Sequence, residues 1–344
     1  MLVRPGMEVE KEEVELDPND PLAEEKQRLR DWEDSLNLTA DALTERLRLL
    51  AERETALVER ERTFARREAA LESREAALSN RERLVRAREK LPEVRPWAGP
   101  RAPSIVGKYA MVIDARNGRI LHQKDAYEAI PVASTQKLLT ALLVVEAGDL
   151  EREIVVEASD TKVEPSVLGF KTGETYTRKE LVQWLMVRSG NDVALALARD
   201  NAGSVELFCE RMNARAKELG MTNSHFKNPH GLTVSGQYST ARDMALLAWH
   251  CYQDPFIRDC VATKKLELRL DSGVLRSTTN TNKLLQSNGY CNGMKTGYTI
   301  ASGNCLISSG MKGERERIVA VFKSSSTWVS KDSGVLLDWS LASD

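Results

Sequence analysis

Cysteine is scarce in this 344-residue chain. Five are too few for a disulfide-built scaffold, an odd number leaves at least one thiol without an internal partner, and all five lie at Cys209 or later. Long hydrophobic runs are missing too. The longest, Leu138 to Val145, is broken by Thr140 and falls far short of the ~18 residues of a membrane span. Neither sign of charge prevails. The 49 basic and 51 acidic residues leave a formal charge of −2, so there is no electrostatic case for a nucleic-acid partner. The four histidines and the cysteines form no C-x2-C or H-x3-H pair, so neither a metal nor another cofactor is expected.

Glycine is nearly absent from the first hundred residues, where only Gly6 and Gly99 occur, while 43 of those residues are charged. A charged segment poor in turn formers is therefore joined to a globular domain, and roughly two units are expected. Residues 1–36 begin acidic, carry Pro5, Pro18 and Pro21, and read as a largely disordered tail. No apolar core follows the first ten residues, so a secretory signal is not legible.

Residues 37–91 repeat every seven positions. Leu50, Leu57, Phe64, Leu71, Leu78 and Val85 form one column, and Ala56, Thr63, Ala70, Ala77, Leu84 and Leu91 form another beside it. Arg-Glu pairs recur in step from Arg53-Glu54 to Arg88-Glu89. No proline or glycine interrupts, and Ala, Glu, Arg and Leu favour helix, so a helix on the order of 80 Å is predicted. Any register that puts these leucines at one core position fills the other with Arg or Glu, which weakens a zipper. Two readings stay open: a spacer that forms a homo-oligomer through residues 37–91, or a solvated helix that stays alone. Pro92, Pro96, Pro100 and Pro103 then make residues 92–105 a semi-extended linker.

The globular domain is expected over residues 106–344. It opens on a hairpin, with Tyr109–Asp114 and Ile120-Leu121 flanking Arg116-Asn117-Gly118. Helices are predicted over 134–147, 178–187, 193–201, 209–219, 241–252 and 333–340, and strands over 303–308 and 317–322. Trp184 and Trp249 fall on apolar helix faces and read as core. Strands at both ends with helices between give an α+β domain whose sheet comes from terminal segments.

Three short segments carry polar chemistry. Ser134-Thr135-Gln136-Lys137 opens the first helix of the domain, and residues three apart share a helix face, so Lys137 is carried back over Ser134. A serine hydroxyl needs a base, and lysine can be that base only if burial or nearby positive charge lowers its pKa far below ~10.4. By itself this S-x-x-K pattern is weak, since two fixed residues in four recur by chance, and an N-capping serine beside a solvated lysine explains it more simply. Ser189-Gly190-Asn191 falls between two helices, where its side chains can join a site or simply cap the following helix. Lys295-Thr296-Gly297 precedes the terminal strands, and a cation, a hydroxyl and a glycine on an edge strand suit an anionic substrate lying alongside. Cys291, four residues earlier, is either a small half-buried residue or a thiol near the site. His230 reads as a turn residue.

S-x-x-K, S-x-N and K-T-G in this order, 55 and 106 residues apart, resemble the serine β-lactamases and penicillin-binding proteins. Asn228-Pro229-His230-Gly231-Leu232, Tyr238 to Met244 and Asn280 to Leu285 narrow the resemblance to the low-molecular-mass D-alanyl-D-alanine carboxypeptidases, over essentially the whole globular domain. Gln136 stands where threonine is more usual. The resemblance implies a DD-peptidase fold, an antiparallel sheet flanked by helices plus a helical subdomain, here preceded by a long N-terminal helix. It implies that Ser134 attacks the carbonyl between the last two D-alanines of a peptidoglycan stem peptide and that Lys137 takes its proton. Ser189 relays a proton to the leaving group, with Asn191 holding the substrate amide and Lys137. Lys295, Thr296 and Thr299 meet the terminal carboxylate, Gly297 lets the strand come close, and the amides of Ser134 and Tyr298 form the oxyanion hole. β-Lactams are expected as covalent inhibitors and an extracytoplasmic location as the setting. A DD-endopeptidase, a β-lactamase or a non-catalytic wall-binding scaffold are the competing readings.

Overall fold

The computed structural model describes residues 21–89, 99–270 and 273–342, in two units divided between Glu68 and Ala69. Helix α1 spans Ala23–Glu89. It starts well inside the stretch expected to be a disordered tail, which corrects that boundary. Charge density suggested disorder, but from Ala23 onward the residues are mostly helix formers, and Glu24 and Glu25 sit in the first turn, where the helix dipole favours negative charge. The rest of the expected tail, residues 1–20, and Pro92 and Pro96 of the expected linker lie outside the described residues. Every α1 side chain described from Glu24 to Leu71 is exposed. The hydroxyls of Thr39, Thr44, Thr55 and Thr63 each donate to the carbonyl four residues earlier.

Beyond α1, the second unit forms the predicted hairpin, β1 (Tyr109–Asp114) and β2 (Ile120–Lys124). A single 3-10 turn (Ala133–Gln136) leads into α2 (Lys137–Glu146), and β3 (Glu153–Val155) and β4 (Thr175–Thr177) form a small antiparallel ladder. Helices α3 (Arg178–Val187), α4 (Asn191–Ala202), α5 (Val205–Glu218), α6 (Ala241–Gln253) and α7 (Pro255–Ala262) follow. A second ladder, β5 (Lys265–Arg269) with β6 (Leu275–Thr279), precedes the short α8 (Lys283–Ser287). The chain closes on β7 (Cys291–Thr299), β8 (Gly303–Lys312), β9 (Arg315–Ser324) and α9 (Val329–Ala342).

The main sheet has the order β2-β1-β9-β8-β7 with every neighbour antiparallel, so terminal segments do build it, as expected of this α+β domain. Side chains on a strand alternate between faces, and here the alternation feeds two cores. Ala110, Val112, Leu306, Val319 and Val321 meet Leu336, Leu337 and Leu341 of α9. Met111, Ile113, Ile307, Ile318 and Phe322 face the helical side. There α2 is buried on almost every side, because α3 to α7 surround it. Trp184 and Trp249 are both core residues, and the Trp249 indole donates to the Ala115 carbonyl at 2.9 Å. All five cysteines are free and buried.

Candidate active site

The edge strand β7 packs against the 3-10 turn that carries Ser134. That turn differs from the expected helix start: Ser134 precedes the α-helix proper, Lys137 is its first residue, and neither Ser134 nor Gln136 makes a capping bond. The turn is strained at Ala133, whose φ of 49° lies in the left-handed region that a side chain disfavours. Two glycines make room for it. A methyl group on Gly297 of β7 would lie 2.8 Å from the Ser134 amide nitrogen, and one on Gly231 (φ +94°) would overlap the Ala133 carbonyl.

Lys137 Nζ lies 2.9 Å from Ser134 Oγ, 2.6 Å from Asn191 Oδ1 and 2.6 Å from the His230 carbonyl oxygen. The Asn191 amide is fixed in orientation, since its Nδ2 donates to the Pro165 carbonyl at 2.5 Å. Lys137 thus faces two oxygens that only accept and one hydroxyl that can donate. A neutral amine has two N–H donors and one lone pair. Its donors match Asn191 Oδ1 and the His230 carbonyl, and its lone pair is left for the Ser134 hydroxyl proton. Burial of Lys137 pushes its pKa well below the usual lysine range, and the cation of Lys295 pushes it further the same way, with Asp192 opposing. Lys295 is itself fully enclosed and lowered to about 7 by burial. Its ammonium donates to the Thr296 carbonyl at 3.2 Å.

The loop from Asn228 to Gly231 is tied to the turn and to α2 by three successive carbonyls. Asn228 accepts from the Gln136 side chain at 2.6 Å, Pro229 from Thr140 at 2.6 Å, and His230 from Lys137. Sequence reading makes His230 a turn residue, yet its backbone carbonyl is one of the groups that orients the lysine. Its imidazole accepts from the Leu232 amide at 3.2 Å, and burial, with the nearby Lys137, lowers it to about 3. Gln136, the departure from the family pattern, uses its length to reach that loop.

Ser189 and Asn191 are brought to the site by a second strained bend, with Ser189 at φ 69°. Neither side chain caps α4, whose N-cap is Gly190. Asn191 reaches Lys137. Among the described residues no hydrogen bond joins the Ser189 hydroxyl to Ser134 or Lys137. The bend is held by a loop that sequence reading passes over: Asn191 N donates to the Ser166 carbonyl at 2.7 Å, and the buried Asp192 carboxylate accepts from Leu168 N at 2.9 Å and Gly169 N at 2.8 Å. The signal is present, an acidic residue directly after S-x-N, but nothing local shows what it would bind.

On β7, the Thr296 hydroxyl is 2.7 Å from that of Thr281, and the Thr299 hydroxyl is 2.9 Å from that of Thr233 across the mouth. Tyr298 is exposed there. Asn282 braces the strand through the Gly293 carbonyl at 2.9 Å. Cys291 is buried, its thiol donates to the Gly293 carbonyl at 3.1 Å, and burial pushes it up to about 11, so it is no reactive thiol. Among the described residues no group of three or more His, Cys, Asp or Glu side chains could hold a metal ion, and no helix is long and apolar enough to cross a membrane.

A half-buried serine beside a buried lysine, between a strained turn and a glycine-bearing edge strand, is the layout of an acyl-transferring serine hydrolase. The sequence profile of the S11 peptidases, D-alanyl-D-alanine carboxypeptidases, matches residues 98–326, and the chain belongs to that family. It is 35% identical over 223 residues to D-alanyl-D-alanine carboxypeptidase DacF of Bacillus subtilis, covering 63% of this chain and 57% of that protein. It is 31% identical over 238 residues to DacB2 of Mycobacterium tuberculosis, covering 67% and 81%. Among solved structures, the Streptomyces K15 DD-transpeptidase superposes with a TM-score of 0.67 at 26% identity, over 71% of this chain and all of that one. The chain thus spans just over half the length of the Bacillus relative.

Proposed function

We propose that the protein is a serine-type D-Ala-D-Ala carboxypeptidase that removes the terminal D-alanine from peptidoglycan stem peptides. The observation that carries this reading is the Lys137 amine, buried, depressed in pKa and 2.9 Å from Ser134 Oγ. Ser134 Oγ attacks the carbonyl of the penultimate D-alanine while its proton passes to Lys137. The C–N bond then breaks, the leaving D-alanine amine receives a proton through Ser189, and an ester remains on Ser134. Water hydrolyses that ester and restores the hydroxyl.

The amides of Ser134 and Tyr298 are the oxyanion donors in this proposal. Gly297 supports it, because its bare Cα lets β7 approach the Ser134 amide. Lys295, with Thr296 and Thr299 beside it, attracts the terminal carboxylate of the substrate. β-Lactams acylate Ser134 as substrate mimics. The substrate places the protein on the wall side of a membrane. We further propose that α1 self-associates, within the repeat over residues 37–91.

The test is D-alanine release from a peptide ending in D-Ala-D-Ala, together with labelling by a fluorescent penicillin. Both are expected for the parent and absent for Ser134→Ala. Labelling of the variant as strong as that of the parent rules out the nucleophile. Penicillin turnover without D-alanine release points to a β-lactamase instead.

A further inference from the structure

The seven-residue column of α1 extends further toward the N-terminus than the repeat over 37–91. Leu22, Leu29, Leu36 and Leu43 continue the line of Leu50, Leu57, Phe64 and Leu71, and all eight are exposed. In the region 29–50 a second apolar line runs beside it. Trp32 stands three residues after Leu29, and Ala40 and Leu47 stand four after Leu36 and Leu43, so Leu29, Trp32, Leu36, Ala40, Leu43, Leu47 and Leu50 share one broad face, and the six large side chains are 52–67% exposed. Contiguous apolar surface of that kind marks an interaction face. C-terminal to it the charge pattern takes over: Arg46, Arg53, Arg60 and Arg67 stand three residues after the apolar column, and Glu54, Glu61 and Glu68 stand four after.

We infer that α1 pairs with α1 of a second copy, parallel and in register, through an apolar seam at Leu29–Leu50 and an Arg-to-Glu ladder C-terminal to it. This deepens the self-association proposed above and rests on it. Charge complementarity identifies the occupant. Around a parallel two-fold pair, the column three after the leucine in one copy lies beside the column four after it in the other. That puts Arg53, Arg60 and Arg67 next to Glu54, Glu61 and Glu68 of the other copy, on both sides of the seam. An antiparallel pair sets Arg against Arg and Glu against Glu, which is repulsive. An unrelated partner helix would need the same seven-residue period with complementary columns, and this chain already carries both.

The experiment uses the full chain. Light scattering at micromolar concentration is expected to give the mass of two chains, and Leu36→Asp with Leu43→Asp that of one, with penicillin labelling of Ser134 unchanged. Leu36→Cys and, separately, Phe64→Cys are expected to form disulfide-linked dimers on mild oxidation, at least tenfold more than Asp41→Cys on the outward face. A parent with the mass of one chain overturns self-association altogether. A parent of two chains whose Leu36→Cys and Phe64→Cys variants link only to each other in a mixture, or do not link, overturns the parallel pairing and leaves self-association standing.

Discussion

On α1, Arg48 lies between Glu45 and Glu52 with more than half of each side chain in water. In the domain, Lys137 and Lys295 are almost wholly enclosed. The charged residue types are similar and their consequences are not. In water the Arg48 pairs are screened, and such pairs contribute little. Out of water a cation is costly, so the domain has driven both lysines toward their neutral forms, and in the proposed mechanism this is what lets Lys137 act as a base. The same contrast separates what each unit can do. The helix keeps its charge in water as a repeating pattern, whereas the domain encloses it and so alters proton affinity.

The largest effect expected from breaking this contrast is at Lys137. Lys137→Arg puts a permanent charge where a lone pair is needed, so the rate of penicillin acylation should fall by about 10²–10⁴, with Ser134→Ala lower still. Stopped-flow labelling measures both.

The pH profile of kcat/KM sharpens the comparison next. Its acid limb should rise as Lys137 loses its proton. Its alkaline limb should fall as Lys295, lowered to about 7 in the free enzyme, loses the charge that attracts the carboxylate. Lys295→Arg should remove the alkaline limb. Stability runs the other way. A lysine whose folded pKa is depressed binds fewer protons folded than unfolded, so it destabilises most below pH about 7, and less as the pH rises toward ~10.4. Lys295→Met should therefore raise Tm at neutral pH while weakening substrate binding, as calorimetry and KM would register.

Asp192→Asn should have an intermediate effect. It weakens charge-assisted bonds to Leu168 and Gly169, each worth about 1.5–3 kcal/mol, and so loosens the loop that holds Asn191. It also removes the anion that opposes the depression of Lys137, so the acid limb of acylation should move to lower pH. A slower variant with an unmoved limb would reduce Asp192 to a purely structural anchor. The smallest effect is expected on α1: Arg48→Ala should leave domain melting and penicillin labelling unchanged.

Sequence reading brings out the polar motifs better than their surroundings. The start of α3 is legible because its signal is local: Thr177 and Glu180 form a reciprocal capping box. Ser134 and Lys137 are legible for the same reason, three residues apart on one turn. The edge strand expected for Lys295-Thr296-Gly297 is β7, but its full extent from Cys291 is hidden by Gly293 and Gly297. The carbonyls of Asn228, Pro229 and His230 cannot be read at all. Which way a carbonyl points is set by a fold that brings residue 230 to residue 137, and no spacing encodes it. The start of α1 escapes for a different reason: the same residues that keep a chain soluble also make good helices.

Two missing methyl groups have an evolutionary consequence. Because Gly231 and Gly297 press on the backbone around Ser134 from opposite segments, any side chain at either position displaces that backbone. On the mechanism proposed above, insensitivity to penicillin cannot arise there without sacrificing the native reaction, so escape variants are expected at the rim, around Thr233, Tyr298 and Thr299.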